Sequence, residues 1–550
     1  MASLQTSTPR YGMVVDINRC VGCQTCTISC KHVNDTPPGV QWRRVLDVER
    51  GEFPDVERMF LVVGCQHCAE PPCVPVCPTG ATRQREDGLV TMDYDQCIGC
   101  GYCAVACPYQ ARTIVHEENW YYGEPTQQET TVRHDERMGV ANKCTFCVEK
   151  IDDAARIGKT PGVDLEFTPA CAASCITQAI KFGDFNDPHS EVSQLVASEA
   201  HFQMHEELGT DPQIKYLYEV PSSTPGLDAT SEDLSDEKLS DPENPLVGKL
   251  QTFWDLRAAA NFTLGGMSAG LGVIAAILYG LGVIPVDGAR IALLVSAIGM
   301  AIGLFAVFLE IGKKARFLFV LLRPQTSWMT RETYAVAVFY PSVLLAWFAP
   351  STLWIALSGF SAAAFLFCQA RILYAAKGIP AWRAPATPWL IGATGLLEGT
   401  GLLAVLLGLD HNAFGAAAGL VWVSFLGVMF AVLGIVVWCY FIQSARNAGL
   451  PPLARSSLGA LDPWLRWGGY IAPAAAFAAA WALSGLGGWT SAALCLGGAT
   501  AVLFGAVMKV GLVTRAGFQQ GYAIPRMPQR GSGARAAPVR LDVSAVRVNG

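Results

Sequence analysis

Long apolar stretches dominate the second half of the chain, whereas the first half alternates short apolar and polar runs. About 20 consecutive apolar residues are needed to cross the hydrocarbon core of a bilayer as a helix. Eight stretches reach roughly that length, at residues 260–285, 289–312, 333–356, 358–376, 386–409, 413–442, 467–486 and 488–513. The pattern predicts an all-α bundle of eight transmembrane helices over residues 258–515, followed by a tail at 516–550.

The first half predicts an α+β architecture. Short runs at residues 11–16 and 89–93 indicate β-strands that lead into cysteine-rich loops. Residues 221–257 are polar and acidic, which is the composition of a solvated linker. We therefore expect an α+β domain at 1–220, an acidic linker at 221–257, and then the helical bundle.

Composition narrows the range of partners. The formal net charge is −6 and no basic stripe is visible, so the sequence does not favour a nucleic-acid partner. The start of the chain has no basic segment followed by an apolar run, so no secretory signal is predicted. Arg43 and Arg44 precede no apolar stretch, which argues against a twin-arginine export signal.

Sixteen of the 19 cysteines fall in the first half, in four groups of four. Two groups have the Cys-x2-Cys-x2-Cys-x3-Cys spacing of bacterial ferredoxins, another is lengthened by two residues, and the last is split. The groups are Cys20, Cys23, Cys26 and Cys30; Cys65, Cys68, Cys73 and Cys77; Cys97, Cys100, Cys103 and Cys107; and Cys144, Cys147, Cys171 and Cys175. A cubane cluster needs four converging thiolates, so the sequence predicts four [4Fe-4S] clusters in a ferredoxin-like α+β domain.

Cysteines in such patterns have two other common uses. Zinc sites also contain Cys-x2-Cys pairs, but two pairs suffice for zinc and the third cysteine of each run would have no role. A disulfide framework suits a small secreted domain rather than a long chain with this periodic pattern. The cluster interpretation accounts for all four groups.

The cysteine groups lie in segments that resemble a known family. CQHCAEPPCVPVCPTGA at residues 65–81, DQCIGCGYCAVACPYQAR at 95–112 and KCTFCVEKID at 143–152 are similar to the four-cluster iron-sulfur subunits of the dimethyl sulfoxide reductase superfamily. The resemblance covers roughly residues 10–220. It implies a subunit that passes electrons between a separate molybdopterin-containing catalytic subunit and a membrane anchor. Ile176 departs from the family, which usually has proline after the preceding cysteine.

In a ferredoxin run the fourth cysteine ligates the cluster of a partner motif. Together with the resemblance, this rule pairs the second group with the third and the first group with the fourth. The expected ligand sets are Cys20, Cys23 and Cys26 with Cys175; Cys144, Cys147 and Cys171 with Cys30; Cys65, Cys68 and Cys73 with Cys107; and Cys97, Cys100 and Cys103 with Cys77.

The apolar half carries a separate resemblance. FTLGGMSAG at residues 262–270, LEIGKKARFLFVLLRPQTSWMTRE at 309–332 and GIPAWRAP at 378–385 are similar to the eight-helix anchors of dimethyl sulfoxide and polysulfide reductases, including those predicted for phenylacetyl-CoA:acceptor oxidoreductases. The chain thus resembles a fusion of an iron-sulfur subunit with a membrane anchor. The resemblance implies electron exchange with the quinone pool.

Lysine and arginine in short loops set the orientation of a membrane protein. They concentrate before the first stretch, in every second loop after it, and in the tail, whereas the opposite loops contain essentially only Arg290. We therefore expect both termini and the cluster domain in the cytoplasm, with the bundle surrounded by the lipid of the inner membrane.

Polar residues at membrane depth are functional candidates because burying them is costly. Asn261, Glu310 and Tyr334 lie near the expected cytoplasmic end of the bundle, and Glu398 lies near the middle of the fifth stretch. We expect quinone or proton binding at these four residues. For Glu310 there is an alternative, an ion pair with a lysine one turn later.

These observations favour an electron-transfer and anchor subunit of a membrane-bound molybdopterin oxidoreductase, with no catalytic residue for the terminal substrate in this chain. Two alternatives remain open. Glu398 at mid-depth would suit a proton-translocating redox module. A plain membrane tether that passes electrons to a soluble carrier would need no quinone site.

Overall fold

The structure is a computed structural model that describes residues 8–52, 55–217, 240–484 and 488–522. Most of the predicted linker at 221–257 and of the predicted tail at 516–550 lies outside the described residues. Within them, an α+β domain precedes a helical bundle. This order is the one that the sequence predicts.

Ten short strands in the described residues of the α+β domain form four small sheets. The strands are β1 (Tyr11–Asp16), β2 (Arg43–Glu52), β3 (Asp55–Gly64), β4 (Thr82–Gln84), β5 (Val90–Met92), β6 (Thr113–Ile114), β7 (Ala141–Asn142), β8 (Ile180–Asp184), β9 (His201–Phe202) and β10 (Ile214–Leu217). The central sheet has the order β8-β1-β10-β9, with β1 parallel to β10 and antiparallel to β8. The strands predicted at 11–16 and 89–93 are confirmed as β1 and β5.

Short helices alternate with these strands. They are α1 (Thr25–Val33), α2 (Tyr102–Val105), α3 (Gln127–Thr131), α4 (Val148–Ile157), α5 (Ala170–Ala173) and α6 (Glu191–Ser198), with 3-10 turns at Asp135–Arg137, Leu165–Phe167 and Glu206–Leu208. Four of these helices, α1, α2, α4 and α5, contain a cysteine of the predicted groups or directly follow one. The helices therefore hold the cysteine loops in place.

The second half consists of helices. They are α7 (Leu256–Ala260), α8 (Gly266–Gly280), α9 (Val286–Glu310), α10 (Trp328–Phe348), α11 (Thr352–Ala375), α12 (Thr387–Leu409), α13 (Ala416–Asn447), α14 (Pro452–Trp464), α15 (Ala472–Ala482) and α16 (Gly488–Thr514). A π-helical segment, Asn261–Gly265, joins α7 to α8, and another, Leu465–Ile471, joins α14 to α15. A 3-10 segment, Lys314–Leu322, lies between α9 and α10.

Six helices within the described residues are long and apolar enough to cross a membrane: Leu256–Gly280, Val286–Glu310, Thr352–Ala375, Thr387–Leu409, Ala418–Asn447 and Gly488–Thr514. Their outer surfaces expose large apolar side chains such as Ile302, Phe360 and Val432. Exposed apolar surface of this kind is typical of membrane or protein contact sites. The chain is accordingly a multi-pass membrane protein, and the other two predicted spans fall on α10 and α15, which are not among these six helices.

One predicted boundary is wrong. The third and fourth stretches were expected at 333–356 and 358–376, but α10 ends at Phe348 and α11 begins at Thr352. Pro350 cannot donate a helical hydrogen bond, and Ser351 caps α11 by accepting a hydrogen bond from Trp354 N at 3.4 Å. The apolar residues continue across this turn, which is why hydropathy alone placed the break too late.

Backbone contacts hold the α+β domain against the bundle. A Cβ on Gly99 or on Gly312 would overlap the carbonyl oxygen of Gly139. Lys313 N donates to Ile98 O at 3.1 Å, directly beside this contact. The buried apolar core around the second and third cysteine groups is continuous with the core of the bundle. The two halves therefore share one packed interface.

Candidate metal centres and adjoining cavity

Three small cavities in the α+β domain are each lined by four cysteines. We name them the surface set (Cys20, Cys23, Cys26 and Cys175), the middle set (Cys65, Cys68, Cys73 and Cys107) and the anchor set (Cys77, Cys97, Cys100 and Cys103). Each set combines three thiols that are close in sequence with one from a different group. These combinations are those expected from the exchange of fourth ligands.

The remaining four cysteines of the groups form the inner set, Cys30, Cys144, Cys147 and Cys171. The Cys30 thiol lies close enough to the other three thiols to interact with them electrostatically. The amide nitrogen of Asn34 lies 3.6 Å from Cys30 Sγ and 3.8 Å from Cys147 Sγ, so one side chain donates towards two sulfurs of the set. The inner set is thus also assembled from two groups.

The four sets form a series. Helix α1 carries Cys26 of the surface set and Cys30 of the inner set one turn apart. Cys144 of the inner set is in electrostatic contact with Cys65 of the middle set. In the next step only three residues separate Cys73 of the middle set from Cys77 of the anchor set. The series therefore runs from the domain surface to the bundle.

Thirteen of the sixteen cysteines are buried, and backbone amides donate hydrogen bonds to some of the sulfur atoms. Ala179 N donates to Cys175 Sγ at 3.2 Å, and Phe146 N donates to Cys144 Sγ at 3.4 Å. Burial raises the pKa of Cys26 to about 11 and the pKa of Cys103 to about 12, so both side chains are neutral thiols at pH 7 without a metal. Metal binding would release these protons, because the thiolate is the ligand.

Two buried arginines face the cysteines. Arg43 is in electrostatic contact with Cys171 and Cys144 of the inner set, and Arg112 with cysteines of the middle and anchor sets. Arg43 Nε and Nη1 and Arg112 Nη2 are buried without a hydrogen-bond partner. A buried, unpaired cation is strongly unfavourable. Clusters with four thiolate ligands are anionic, so they fit these two arginines.

The spacing of the thiols bears on the kind of metal centre. In the described part of the chain, no group of three or more His, Cys, Asp or Glu side chains is close enough to hold a single metal ion. The thiols surround a space instead of converging on one point. Four thiols around one small space are what a cubane cluster needs.

His67 connects two of the sets. Its ring stacks on Phe146 with 3.8 Å between centroids, its Nε2 donates to Cys144 O at 3.0 Å, and its Nδ1 accepts from Val90 N at 3.1 Å. Burial, and after it the charge of Lys143, lowers the pKa of His67 well below its ordinary value. The imidazole is therefore neutral and holds loops of the middle and inner sets together.

A cavity of about 460 Å³, which we call the anchor cavity, lies between the anchor set and the bundle. Cys100 lines this cavity as well as the space inside the anchor set. Trp254, also in the wall, donates from Nε1 to Cys100 O at 3.0 Å. Most of the remaining wall is apolar, and α9 and α10 contribute side chains such as Leu304 and Val336 to it. The cavity is therefore an apolar chamber that reaches a cysteine of the series.

Two predicted site residues, Asn261 and Glu310, line the anchor cavity. Asn261 Oδ1 is buried and has no hydrogen-bond partner. Glu310 Oε1 accepts a hydrogen bond from Asp255 N at 3.2 Å, and neither Lys313 nor Lys314 is among its ion-pair partners in the described part of the chain. Asn261 is thus free to bind a ligand, and Glu310 lies next to the solvent-exposed start of α7.

The other two predicted residues lie elsewhere. Tyr334 is 46% exposed, and its hydroxyl donates to Leu321 O at 3.3 Å. Glu398 is fully buried in an ion pair with Lys509. Neither Tyr334 nor Glu398 lines the anchor cavity. The structure therefore brings together two of the four residues that the sequence suggested as one site.

Sequence reasoning missed Glu332, which lines the anchor cavity and has a buried Oε1 without a hydrogen-bond partner. Successive residues of a helix are about 100° apart, so Glu332 and Tyr334 point to nearly opposite sides of α10. Its position beside Arg331 made Glu332 resemble part of a charged loop. The helical phase of α10 was a signal that could have identified it.

Comparison with known proteins gives matches to the α+β domain. The 4Fe-4S dicluster domain family matches residues 56–122. A selenate reductase subunit of Mesobacillus selenatarsenatis is 41% identical over 218 residues, covering 37% of this chain and 70% of that protein. A putative dimethyl sulfoxide reductase iron-sulfur subunit of Halobacterium salinarum is 40% identical over 221 residues, covering 38% and 78%.

A third relative is the iron-sulfur cluster-binding subunit of the menaquinone reductase of Nitratidesulfovibrio vulgaris. It is 36% identical over 240 residues, covering 40% of this chain and 92% of that protein. These matches concern the N-terminal part of the chain and leave the bundle uncovered. The chain belongs to this family of 4Fe-4S electron-transfer subunits of oxidoreductases, and in it the iron-sulfur domain is joined to a membrane-spanning helical region.

Proposed function

We propose that the chain relays electrons through four [4Fe-4S] clusters between a separate molybdopterin-containing catalytic subunit and the quinone pool. Its sixteen grouped cysteines would hold the clusters in the surface, inner, middle and anchor sets. The clusters would supply one-electron carriers, and the protein would supply their spacing and electrostatic surroundings. The relatives named as subunits of selenate and dimethyl sulfoxide reductases support the catalytic partner.

The observation that carries the quinone end of this proposal is the position of Cys100. It lines both the anchor set and an apolar cavity of about 460 Å³. That volume is in the range of small-molecule sites, which are mostly apolar with a few polar groups that orient the ligand. The relative named as a menaquinone reductase component is consistent with a quinone as the ligand.

The polar residues of the anchor cavity have separate roles in this proposal. Asn261 Oδ1 and Glu332 Oε1 are buried without a partner, so both can accept hydrogen bonds from the hydroxyl groups of a quinol head group. Glu310, hydrogen-bonded to Asp255 N, lies where a proton can pass between the cavity and solvent. Aromatic side chains of the wall, Phe305 and Phe308, would enclose the ring.

We also propose that all eight predicted stretches span the membrane and that the cluster domain faces the cytoplasm of an inner membrane. Every predicted stretch overlaps at least one helix, and the basic loop at 313–331 contacts the cluster domain. At least one of these basic residues also holds the two halves together, because Arg316 Nη1 donates a hydrogen bond to Tyr94 O at 2.7 Å. A reporter fused at residue 530, active only in the cytoplasm, tests the orientation independently of the basic residues.

The test of the electron relay uses anaerobically purified full-length protein. Iron and acid-labile sulfide are measured first, and about sixteen irons per chain are expected for four cubanes. The protein is then titrated with a quinol while the cluster signals are followed by low-temperature EPR. Clusters that accept electrons from dithionite but never from quinol would leave only the membrane tether.

A pair of variants on α9 connects this reaction to the anchor cavity. Leu304 lines the cavity, whereas Leu309 on the same helix is 42% exposed and does not. Leu304→Trp should fill the cavity and abolish cluster reduction by quinol, with dithionite reduction unchanged. Leu309→Trp should behave as the unmodified protein. Equal rates in the two variants would place the quinone elsewhere.

A further inference from the structure

A second polar site lies inside the bundle, separate from the anchor cavity. Glu398 on α12 and Lys509 on α16 form an ion pair, and both side chains are fully buried. Glu398 Oε2 accepts the hydrogen bond from Lys509 Nζ, whereas Glu398 Oε1 has no partner. A Cβ on Gly505 would overlap this carboxylate, so the glycine makes room for it. The pair thus retains one unused acceptor oxygen.

Gln369 on α11 extends this site towards the cavity. Its Oε1 and Lys509 Nζ approach the same point, because a Cβ on Gly266 would lie 2.8 Å from the first atom and 2.5 Å from the second. Gln369 is fully buried, and its Oε1 has no hydrogen-bond partner. The amide of Gln369 is therefore adjacent to the ammonium group of Lys509.

The other end of Gln369 reaches the anchor cavity. Its Nε2 donates to Asn261 O at 2.9 Å, and Asn261 lines the cavity. Asn261 begins the π-helical segment that joins α7 to α8. Such segments disturb the regular helical hydrogen bonds and occur often at functional sites. Polar groups therefore follow one another from the cavity through the Asn261 carbonyl, Gln369 and Lys509 to Glu398, with Gln369 Oε1 and Lys509 Nζ as neighbours that are not hydrogen-bonded.

A structural role alone does not explain this arrangement well. A buried ion pair usually stabilises a protein no better than apolar side chains of similar volume. Ionisable residues at membrane depth commonly mark ion or proton pathways. Lys509 and Tyr470 face Glu398 from neighbouring helical segments, so its surroundings contain one cation and one hydroxyl group.

We propose that Glu398 and Lys509 form a proton-loading site that exchanges protons with the anchor cavity along Gln369. The inference rests on the proposed quinone reaction. Oxidation of one quinol releases two electrons towards Cys100 and two protons. One proton binds to Glu398 Oε1, which leaves a carboxylic acid beside the ammonium group of Lys509, and the other leaves past Glu310. When quinone is reduced, the same carboxylic acid returns its proton and ionises again.

The experiment is a single-turnover quinol pulse on the anaerobic full-length protein. It records bleaching of the clusters, proton release with a pH indicator, and infrared difference bands of protonated carboxyl groups. The unmodified protein should retain one of the two protons at first and show a new carboxyl band. Glu398→Gln should release both protons at once and lose the band, while cluster bleaching remains. An unchanged band and unchanged proton release in Glu398→Gln would overturn the proposal.

A second variant keeps the ion pair and removes only its connection to the cavity. Gln369→Leu should delay or abolish the carboxyl band, so the test remains available if Glu398→Gln does not insert into the membrane. Tyr334→Phe lies outside the series and should leave the band unchanged. If quinol fails to bleach clusters that dithionite reduces, the proposed function fails and the inference fails with it. Bleaching without a carboxyl band would overturn the proton-loading site alone.

Discussion

Among the described residues, the buried arginines of the α+β domain lack an acidic partner, whereas the buried lysine of the bundle has one. In the domain, the buried guanidinium groups of Arg43 and Arg112 face cysteines and keep nitrogen atoms without a partner. In the bundle, Lys509 is equally buried but is paired with Glu398. In the described residues of the domain, the two arginines thus have no acidic side chain as a partner, whereas in the bundle Glu398 neutralises Lys509.

This difference has a physical meaning. Taking a lone charge out of water costs several kcal/mol, so an unpaired buried cation indicates that an anion from outside the chain binds there. A buried ion pair needs no such ligand. Its single unused oxygen, Glu398 Oε1, instead offers a place for a proton. The domain is therefore organised around iron-sulfur cofactors, and exchange of protons and quinone in the bundle is our proposal.

The largest expected effect comes from a cysteine that serves both regions. Cys100→Ser removes a ligand of the anchor set, so we expect the loss of about four irons per chain and of cluster reduction by quinol. Cys368→Ser is the matched control, because Cys368 is buried in α11 outside the four sets. Iron analysis with EPR measures both. Full iron content in Cys100→Ser would contradict the ligand assignment.

A smaller effect is expected from Glu332→Gln in the anchor cavity. In the proposed reaction, the Glu332 carboxylate is also the first acceptor of the proton from the quinol hydroxyl that it binds, and removing such a general base typically lowers a rate on the order of 100-fold. Stopped-flow cluster reduction by quinol should fall by about this factor, while reduction by dithionite stays the same. Tyr334→Phe, on the other side of α10, should leave both rates unchanged. Equal slowing in the two variants would point to a general disturbance of the helix.

The third effect concerns the potentials of the clusters. Arg112→Met removes a buried cation that favours the more negative, reduced form of the neighbouring clusters, so their midpoint potentials should fall. A tenfold change in a one-electron equilibrium corresponds to about 60 mV. Redox titration monitored by EPR should show a fall of roughly this size. Arg58→Met changes an exposed arginine and should leave the potentials in place. An unchanged titration in Arg112→Met would refute the electrostatic role.

The smallest effect is expected at the surface of the domain. Asp47 and Arg58 form an ion pair of 2.6 Å across the β2-β3 hairpin, with side chains 43% and 58% exposed. Exposed pairs contribute about 0.2–1 kcal/mol. Asp47→Asn should therefore change the stability of the domain by less than about 1 kcal/mol in chemical unfolding. A larger loss would mean that the hairpin supports the cluster sets beyond its surface pair.

The sequence by itself predicted features that depend on short-range spacing. Cysteines two or three residues apart share a loop, so the four groups could be read from the chain, whereas their pairing also drew on the resemblance to a known family. The structure gathers the same sixteen thiols into four sets. The length of an apolar stretch decides whether it can span a bilayer, so the membrane region was also evident. Asn261 and Glu310 could be selected because polar groups are rare at such positions.

Only the tertiary structure decided which distant groups meet. Glu398 and Lys509 are 111 residues apart, and no local pattern shows that one neutralises the other. Glu332 rather than Tyr334 lines the anchor cavity because of the rotation of α10 against α9. Arg43 and Arg112 could be recognised as cluster-facing cations only when the thiols of other segments were seen to pack against them. Spacing along a chain fixes local geometry, whereas burial and pairing of charge depend on packing between segments far apart in sequence.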